Sequence, residues 1–240
     1  MSSPAATAYD NKAFTIALGL FVLLLAVYSV LQSPLFSLKS VELRGAERLT
    51  PDDILAAGGL RLGDKLFSIN LRDLARALEQ NPLVEEVRLG RRIPGTLKVA
   101  VVERRPVAYL SAENGIWAVD ARGIPLFAAD RLSMAIPVVT AEPPVAPQAG
   151  VRVEHANLEA ALRFIEALSV KSRSGLSEVH AGPGGVTAYS RDRLTIALGL
   201  DADPGEQARV LEALLEKIEA ERLAVSRIDL SRPKAPVIQE

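Results

Sequence analysis

The sequence contains no cysteine, which excludes disulfide staples, thiol catalysis and cysteine metal sites together. Histidine is nearly as scarce. His155 and His180 are the two in the chain, and neither has a second histidine or a carboxylate at ligand spacing, which counts against most metal and triad chemistry. An excess of either charge is missing as well. With 28 Lys and Arg against 29 Asp and Glu, the formal net charge is -1. That removes the attraction carrying most non-specific affinity for nucleic acid, and none is expected as a partner. Apolar residues are not in short supply: 49% apolar and 24% charged are ordinary globular values and argue against wholesale disorder. A length of 240 residues suits one or two globular domains.

What the chain does have is a long hydrophobic run. Residues 13–31, AFTIALGLFVLLLAVYSVL, carry no charge and no proline. At about 1.5 Å per residue such a helix spans about 28 Å, close to a hydrocarbon core of roughly 30 Å. A cleaved signal peptide has a shorter apolar run and a small-residue cleavage site, and Tyr28-Ser29-Val30-Leu31 matches such a site poorly. A buried core helix would not be apolar all round at the start of a chain. An uncleaved signal anchor is therefore expected over 13–31. Charge bias does not orient it, since Lys12 precedes the run while Lys39, Arg44 and Arg48 follow it. The layout does: a tail over 1–12 reads as cytoplasmic, with the bulk of the chain extracytoplasmic. A chain without thiols suits that compartment, although it is equally safe in a reducing one.

After the run, the periodicity changes in a set order. Leu38, Val41 and Leu43 predict a short strand closed by Gly45. Thr50-Pro51-Asp52-Asp53 is a helix cap with proline at the first helical position and an acid in the first turn, and Gly58-Gly59 ends that helix. Ser68 or Asn70 opens a second helix, whose apolar face is Leu71, Leu74, Ala75 and Leu78. Pro82 ends it. Two strands follow, over 84–89 and 97–102, joined through Arg91-Arg92-Ile93-Pro94-Gly95. The predicted order is strand, helix, helix, strand, strand.

This stretch, residues 36–106, resembles a POTRA domain of the kind that follows the membrane anchor in the FtsQ/DivIB family of bacterial cell-division proteins. The resemblance rests on FSLKSVELRGAERLTPDDIL and DKLFSINLRDLARALEQNPLVEEVRLGRRIPGTLKVAVVERRPVAYL. Its most specific part is Asn81-Pro82-Leu83-Val84 with Arg91, Pro94, Leu97 and the strand end Val102-Glu103-Arg104-Arg105-Pro106. Leu83 stands where the family usually has an aromatic. POTRA units of outer-membrane transporters share Asn-Pro before such strands, but one unit directly after one membrane helix looks like a division protein.

Residues 107–240 read as a larger mixed β domain. Three short apolar runs, 107–110, 116–119 and 124–127, are separated by Glu113-Asn114-Gly115 and Asp120-Ala121-Arg122-Gly123, which predicts a β-meander. Residues 136–139 continue in extended form, and Pro143, Pro144 and Pro147 stiffen the connection that follows. Leu158, Leu162, Ile165 and Leu168 form a helix face. Strands are expected over 176–181, 186–190 and 194–198. Asp203-Pro204-Gly205-Glu206 caps a helix carrying Val210, Leu211, Leu214 and Ile218, and strands over 225–230 and 235–239 follow. Trp117-Ala118-Val119-Asp120 with Gly123, Leu198-Gly199 and Ile228-Asp229-Leu230 also resemble the family. The family commonly reads Asp-Leu-Arg at the last site, whereas here Ser231 precedes Arg232. The expected fold class is α+β: one transmembrane helix, a POTRA domain, and a β domain with two helices packed on its sheet.

No residue nominates itself for catalysis. His155 and His180 read as incidental. Asp52-Asp53 and Glu85-Glu86 read as solvated surface, and adjacent strand residues point to opposite faces, so Glu85 and Glu86 form no dyad. Ala181-Gly182-Pro183-Gly184-Gly185 lacks the lysine and the following helix of a phosphate loop. No cofactor, metal or small-molecule substrate is expected, and no enzyme. Two surfaces remain. Arg88, Arg91, Arg92, Lys98, Arg104 and Arg105 outnumber Glu85, Glu86 and Glu103 by three. They form either a solvated face or a docking face for an acidic partner or anionic headgroups. A final strand often lies at a sheet edge, where it can accept another chain's strand. Val225, Ile228 and Leu230 with Val237 and Ile238 are its apolar part, and core packing is the alternative reading for them. Pro233 and Pro236 blunt the edge and shorten any added pairing.

The resemblance implies that this C-terminal region, with Arg232, binds small single-pass coiled-coil division proteins of the FtsB/DivIC and FtsL kinds, and that septal wall synthases belong to the same assembly. It implies a bitopic inner-membrane scaffold at the division septum that helps control septal peptidoglycan synthesis. Two rivals are an accessory POTRA protein of envelope transport or assembly, and a membrane-anchored enzyme using carboxylates. The first would show several POTRA units or a barrel. The second would show a carboxylate pair, and the sequence has neither.

Overall fold

The computed structural model describes residues 8–31 and 33–239. Helix α1 runs Ala8–Leu31, so it takes in the predicted span and begins before it. The first seven residues of the expected tail lie outside the described residues. Side chains of α1 are described over 13–29, and all of them are exposed. Among the residues with described side chains, which in α1 are 13–29 and so fall short of the predicted span, no helix is long and apolar enough to cross a membrane.

The chain divides into two compact units. One runs to Glu79 and resumes over Glu86–Val102; the other takes Gln80–Glu85 and continues from Glu103. In the first, a 3-10 turn over Pro34–Phe36 leads into β1 (Ser40–Arg44), α2 (Pro51–Ala57), α3 (Leu71–Glu79), β2 (Val84–Arg92) and β3 (Thr96–Glu103). This is the predicted order. The sheet is arranged β1-β3-β2, with β1 parallel to β3.

Local chemistry places these elements. Thr50 accepts from the Asp53 N–H while the Asp53 carboxylate accepts from the Thr50 N–H, a reciprocal cap that fixes the start of α2. That bonding, led by the Thr50 hydroxyl, holds the Asp53 carboxyl below its ordinary range. Asn70 Oδ1 accepts from the Arg72 N–H at the start of α3. Leu74 and Leu78 of α3 are buried, as are Leu38, Ile54, Leu66, Leu97 and Val99 of the same unit. Each such side chain contributes roughly 1.5–3 kcal/mol by leaving water.

The second unit is built on one nine-stranded sheet. Its elements are β4 (Ala108–Ala112), β5 (Gly115–Val119), β6 (Pro125–Ala128), β7 (Val138–Ala141), α4 (Leu158–Ala167), α5 (Val170–Gly175), β8 (Leu176–Gly182), β9 (Gly185–Ser190), β10 (Thr195–Leu198), α6 (Pro204–Glu221), β11 (Arg227–Leu230) and β12 (Val237–Gln239). The strand order is β12-β11-β10-β9-β8-β7-β4-β5-β6. The meander β4-β5-β6 is antiparallel as predicted. Two parallel crossovers carry the helices: β7 to β8 through α4 and α5, and β10 to β11 through α6.

Alternation along the strands puts Val139, Ala141, Val179, Ala181, Val186, Ala188, Ile196 and Leu198 in the core with Leu158, Leu162, Phe164 and Ile165 of α4 and Leu211 of α6. Thr140, His180 and Thr187 fall on the opposite face. Several features differ from expectation: β2 runs on to Arg92, into the expected turn, and β7 lies over 138–141 rather than 136–139. Helix α5 has no buried residue, so no apolar period announced it; it is capped by Ser169, whose N–H donates to Glu212. Strand β11 begins at Arg227 rather than 225. Strand β12 begins at Val237 rather than 235, because Pro236 has no N–H for a ladder.

Candidate functional site

Strand β12 is the last strand on its side of the large sheet. It pairs antiparallel with β11 in the register Arg227↔Gln239, Ile228↔Ile238 and Asp229↔Val237. Opposed residues share a face. Ile238 therefore lies on the core side, over the rim beyond Ile228, and Val237 lies on the opposite side beside Asp229. Both are exposed, Val237 at 55% and Ile238 at 39%.

The six residues expected at this edge thus divide. Ile228 and Leu230 are fully buried, and Val225 packs half-buried against the same core; these three tie β11 to the sheet. Arg232 is exposed and opens the turn into β12, where the Ala235 N–H donates to the Arg232 carbonyl at 2.9 Å around Pro233. The surface available to a partner is Val237, Ile238 and Arg232.

The rigidity of this edge comes from residues behind it. Gln207 is buried on α6 and donates to the Gly199 carbonyl at 2.9 Å and the Leu230 carbonyl at 3.2 Å. Sequence reasoning missed Gln207. Its signal was a polar side chain three and four residues before Val210 and Leu211 on an apolar helix face. Gly199 is required by close approach: a Cβ there would stand 2.7 Å from the Ser231 Cα and carbonyl oxygen. The paired motifs Leu198-Gly199 and Ile228-Asp229-Leu230 are therefore two sides of one backbone contact. The Asp229 carboxylate accepts from the Ser231 N–H at 2.8 Å. Bonding from the Ser231 hydroxyl and then its N–H, with Arg227 adding a smaller Coulombic pull, holds the Asp229 carboxyl below its ordinary range.

The arginines expected to share one docking face are separated by their bonding. Arg88 is exposed and pairs with Glu86 at 2.7 Å. Arg92 pairs with Glu42 at 3.1 Å. Glu42 also receives Arg44, whose bond is the main cause of its lowered pKa. Arg91 points the other way and donates to the backbone carbonyls of Leu66, at 2.9 Å, and Ile69. Arg104 belongs to the second unit and pairs with Asp120 at 3.1 Å, the two side chains only 15% and 8% exposed. Arg105 is exposed. Arg88, Arg92 and Arg105 present themselves as surface, and Arg91 is exposed too although its guanidinium is tied to backbone carbonyls.

The remaining motif residues have local causes. Asn81 Oδ1 accepts from the Leu83 N–H at 3.0 Å, starting the turn into β2. Asp120 is buried and accepts from the N–H groups of Arg122 and Ile124, while the Gly123 N–H donates to its carbonyl at φ +75°. Both histidines lie beside Glu142: His180 Nε2 is 3.5 Å from a carboxylate oxygen, and His155 Nε2 is 3.1 Å from the carbonyl. Thr140 donates to Glu178 at 2.7 Å and contacts His180 Nδ1 at 3.1 Å. This is a carboxylate neighbour that sequence spacing did not reveal, since β7 and β8 are brought together by a crossover. Among the described residues, no group of three or more His, Cys, Asp or Glu is placed to hold a metal ion.

Comparison with known proteins agrees with this architecture. Residues 36–104 match the family described as "POTRA domain, FtsQ-type". The cell division protein FtsQ of Anaeromyxobacter sp. (strain K) is 28% identical over 210 residues, covering 85% of this chain and 71% of that protein. The cell division protein FtsQ of Corynebacterium glutamicum is 28% identical over 116 residues, 48% of this chain and 52% of that protein, so the matched region spans about half its length. The cell division protein DivIB of Clostridium botulinum (strain Hall) is 25% identical over 108 residues, 45% of this chain and 42% of that protein. With one match falling mainly on the first unit and longer similarity running on through the second, the chain is similar over most of its length to the FtsQ and DivIB cell-division proteins.

Proposed function

We propose that this protein is a non-catalytic assembly scaffold of the division machinery, held in the cell inner membrane by α1 and capturing partner strands on the open edge of β12. The single observation that carries the reading is that edge: a terminal strand with two exposed apolar side chains, held in place from behind by Gln207 and Gly199. An added strand would gain backbone hydrogen bonds along β12 and cover Ile238, which extends the core face. Arg232 stands beside it to meet an acidic group. The partners this fits are extended segments of small single-pass coiled-coil division proteins of the FtsB/DivIC and FtsL kinds. Through them the protein would help control septal peptidoglycan synthesis at the septum, with septal wall synthases in the same assembly.

The anchor reading is supported by α1 itself. Its described side chains, among them Phe14, Ile16, Phe21, Leu23 and Leu24, are exposed, and so much apolar surface left open in water is unfavourable. A lipid environment removes that cost, with the N-terminus cytoplasmic and the bulk extracytoplasmic. Arg88 and Arg92 of the first unit are a second docking surface for membrane-proximal partners.

Proline substitution tests the edge. Val237→Pro and Ile238→Pro each remove a backbone donor. Because N–H groups alternate along a strand, one substitution removes a donor from the open edge and the other a donor to β11; both are expected to weaken capture of the small coiled-coil proteins from crosslinked dividing cells, the first with thermal unfolding of the chain unchanged. Capture at full strength by both variants overturns the edge mechanism. Recovery of outer-membrane assembly or secretion proteins in place of division proteins overturns the assignment of the system.

A further inference from the structure

The first unit carries, outside α1, five exposed large apolar side chains among the described residues: Leu35, Leu62, Phe67, Ile93 and Val102. Four of the five fall on three segments that the backbone stitches into one corner. The segment after the 3-10 turn is the seam. On one side the Leu66 N–H donates to the Phe36 carbonyl, the Leu38 N–H to the Asp64 carbonyl and the Gly63 N–H to the Leu38 carbonyl. The Phe36 and Phe67 rings stand 5.7 Å apart. On the other side the Lys39 N–H donates to the Gly95 carbonyl at 2.7 Å. Approach there is so close that a Cβ on Gly95 would run into the Ser37 carbonyl. Arg91 fastens the same loop from beneath, through Leu66 and Ile69.

The corner is thus rigid and also cationic. Within its segments, 33–39, 60–69 and 92–96, the cations are Lys39, Arg61, Lys65 and Arg92 and the one acid is Asp64, whose carboxylate is engaged by the Arg61 N–H; Arg92 is paired with Glu42 of β1, which leaves Lys39, Arg61 and Lys65. Leu62 and Ile93 project furthest, 61% and 62% exposed. The chain reaches Leu35 four residues after α1 ends at Leu31, so Leu35 lies within about 14 Å of the helix end.

We propose that this corner is a membrane-resting surface, in which Leu35, Leu62, Phe67 and Ile93 enter the headgroup region and the surrounding cations bind anionic phospholipid. Apolar side chains ringed by Lys and Arg are the pattern that holds proteins in a lipid interface, and the tether from α1 delivers the corner to it. The surface rests on the anchor reading of α1. It would make the first unit stand on the bilayer at a fixed attitude, with β3 rising from it.

The absence of cysteine makes single-site labelling direct. Full-length chains carrying Leu23→Cys, Leu62→Cys, Ile93→Cys or Val102→Cys are nitroxide-labelled and reconstituted into phosphatidylethanolamine–phosphatidylglycerol vesicles. Collision with oxygen and with a water-soluble nickel chelate is then measured. Val102 is the control, since it lies about 20 Å along β3 from Thr96. Labels at Leu62 and Ile93 are expected to be shielded from the chelate several-fold relative to Val102, and to open when Lys39→Glu, Arg61→Glu and Lys65→Glu are combined. Labels at Leu62 and Ile93 as open as Val102, with Leu23 in lipid, overturn the surface alone and leave the corner to a protein partner. A Leu23 label open to the chelate overturns the anchor reading and the surface with it.

Discussion

At the residue scale, the family-like motifs turn out to be turn and contact chemistry. Asp120 is the clearest case. It builds the turn into β6 through two backbone N–H groups and holds Arg104 in a largely buried ion pair. Removing one partner of such a pair leaves the other charge stranded, at about 3–5 kcal/mol. Arg104→Ala is therefore expected to lower the unfolding free energy by about 3 kcal/mol in denaturant titration, whereas Arg88→Ala, which breaks an exposed pair, should change it by less than about 1 kcal/mol. Gly199→Ala forces a methyl onto the Ser231 backbone. It should cost about 1–3 kcal/mol and also weaken partner capture, because Ser231 directly follows β11 and leads into the turn to β12. Asp229 adds a pH dependence. Its folded carboxyl is held below the ordinary range, so its stabilisation is full above its unfolded value, about 3.9, and is lost as pH falls through the lowered folded value. Asp229→Asn should therefore flatten part of the acid-side fall in stability in a titration of unfolding midpoint against pH.

At the element scale, legibility follows whether an element announces itself locally. Helices α2 and α6 carry written starts, Thr50-Pro51 and Asp203-Pro204, and the structure shows both caps bonded: Asp203 accepts from the Glu206 N–H at 2.9 Å. Asp203→Ala should cost about 1 kcal/mol, read as a lowered melting temperature. Helix α5 had no such legibility, because its six residues bury nothing and its support, Glu212 on α6, is remote in sequence. The β12 edge was legible as a terminal strand. What could not be read was which of its neighbours' side chains turn inward. Ile228 and Leu230 look like edge residues in the sequence, but pairing of β11 with β10 commits them to the core. The individual bonding of the arginines was illegible for a related reason: Arg91 and Arg104 make bonds whose acceptors, Leu66, Ile69 and Asp120, lie 16 to 25 residues away.

At the scale of the whole molecule, the strand order has a consequence for how the protein comes into being. From β7 onward every new crossover or hairpin lays its strand on the outer side of the one before: β7 beside β4, then β8, β9, β10, β11 and β12 in turn. The sheet therefore grows in one direction as the chain emerges, and its exposed rim is always the newest strand. A polypeptide halted after α6 would present β10 as its rim, but with Gly199 facing no Ser231 and Gln207 lacking its second carbonyl. Only the finished rim has the buttress behind it. Premature chains would thus offer a wrongly furnished ledge to passing strands, and on the proposed edge-capture reading completion of the sheet is itself the event that would make the site selective.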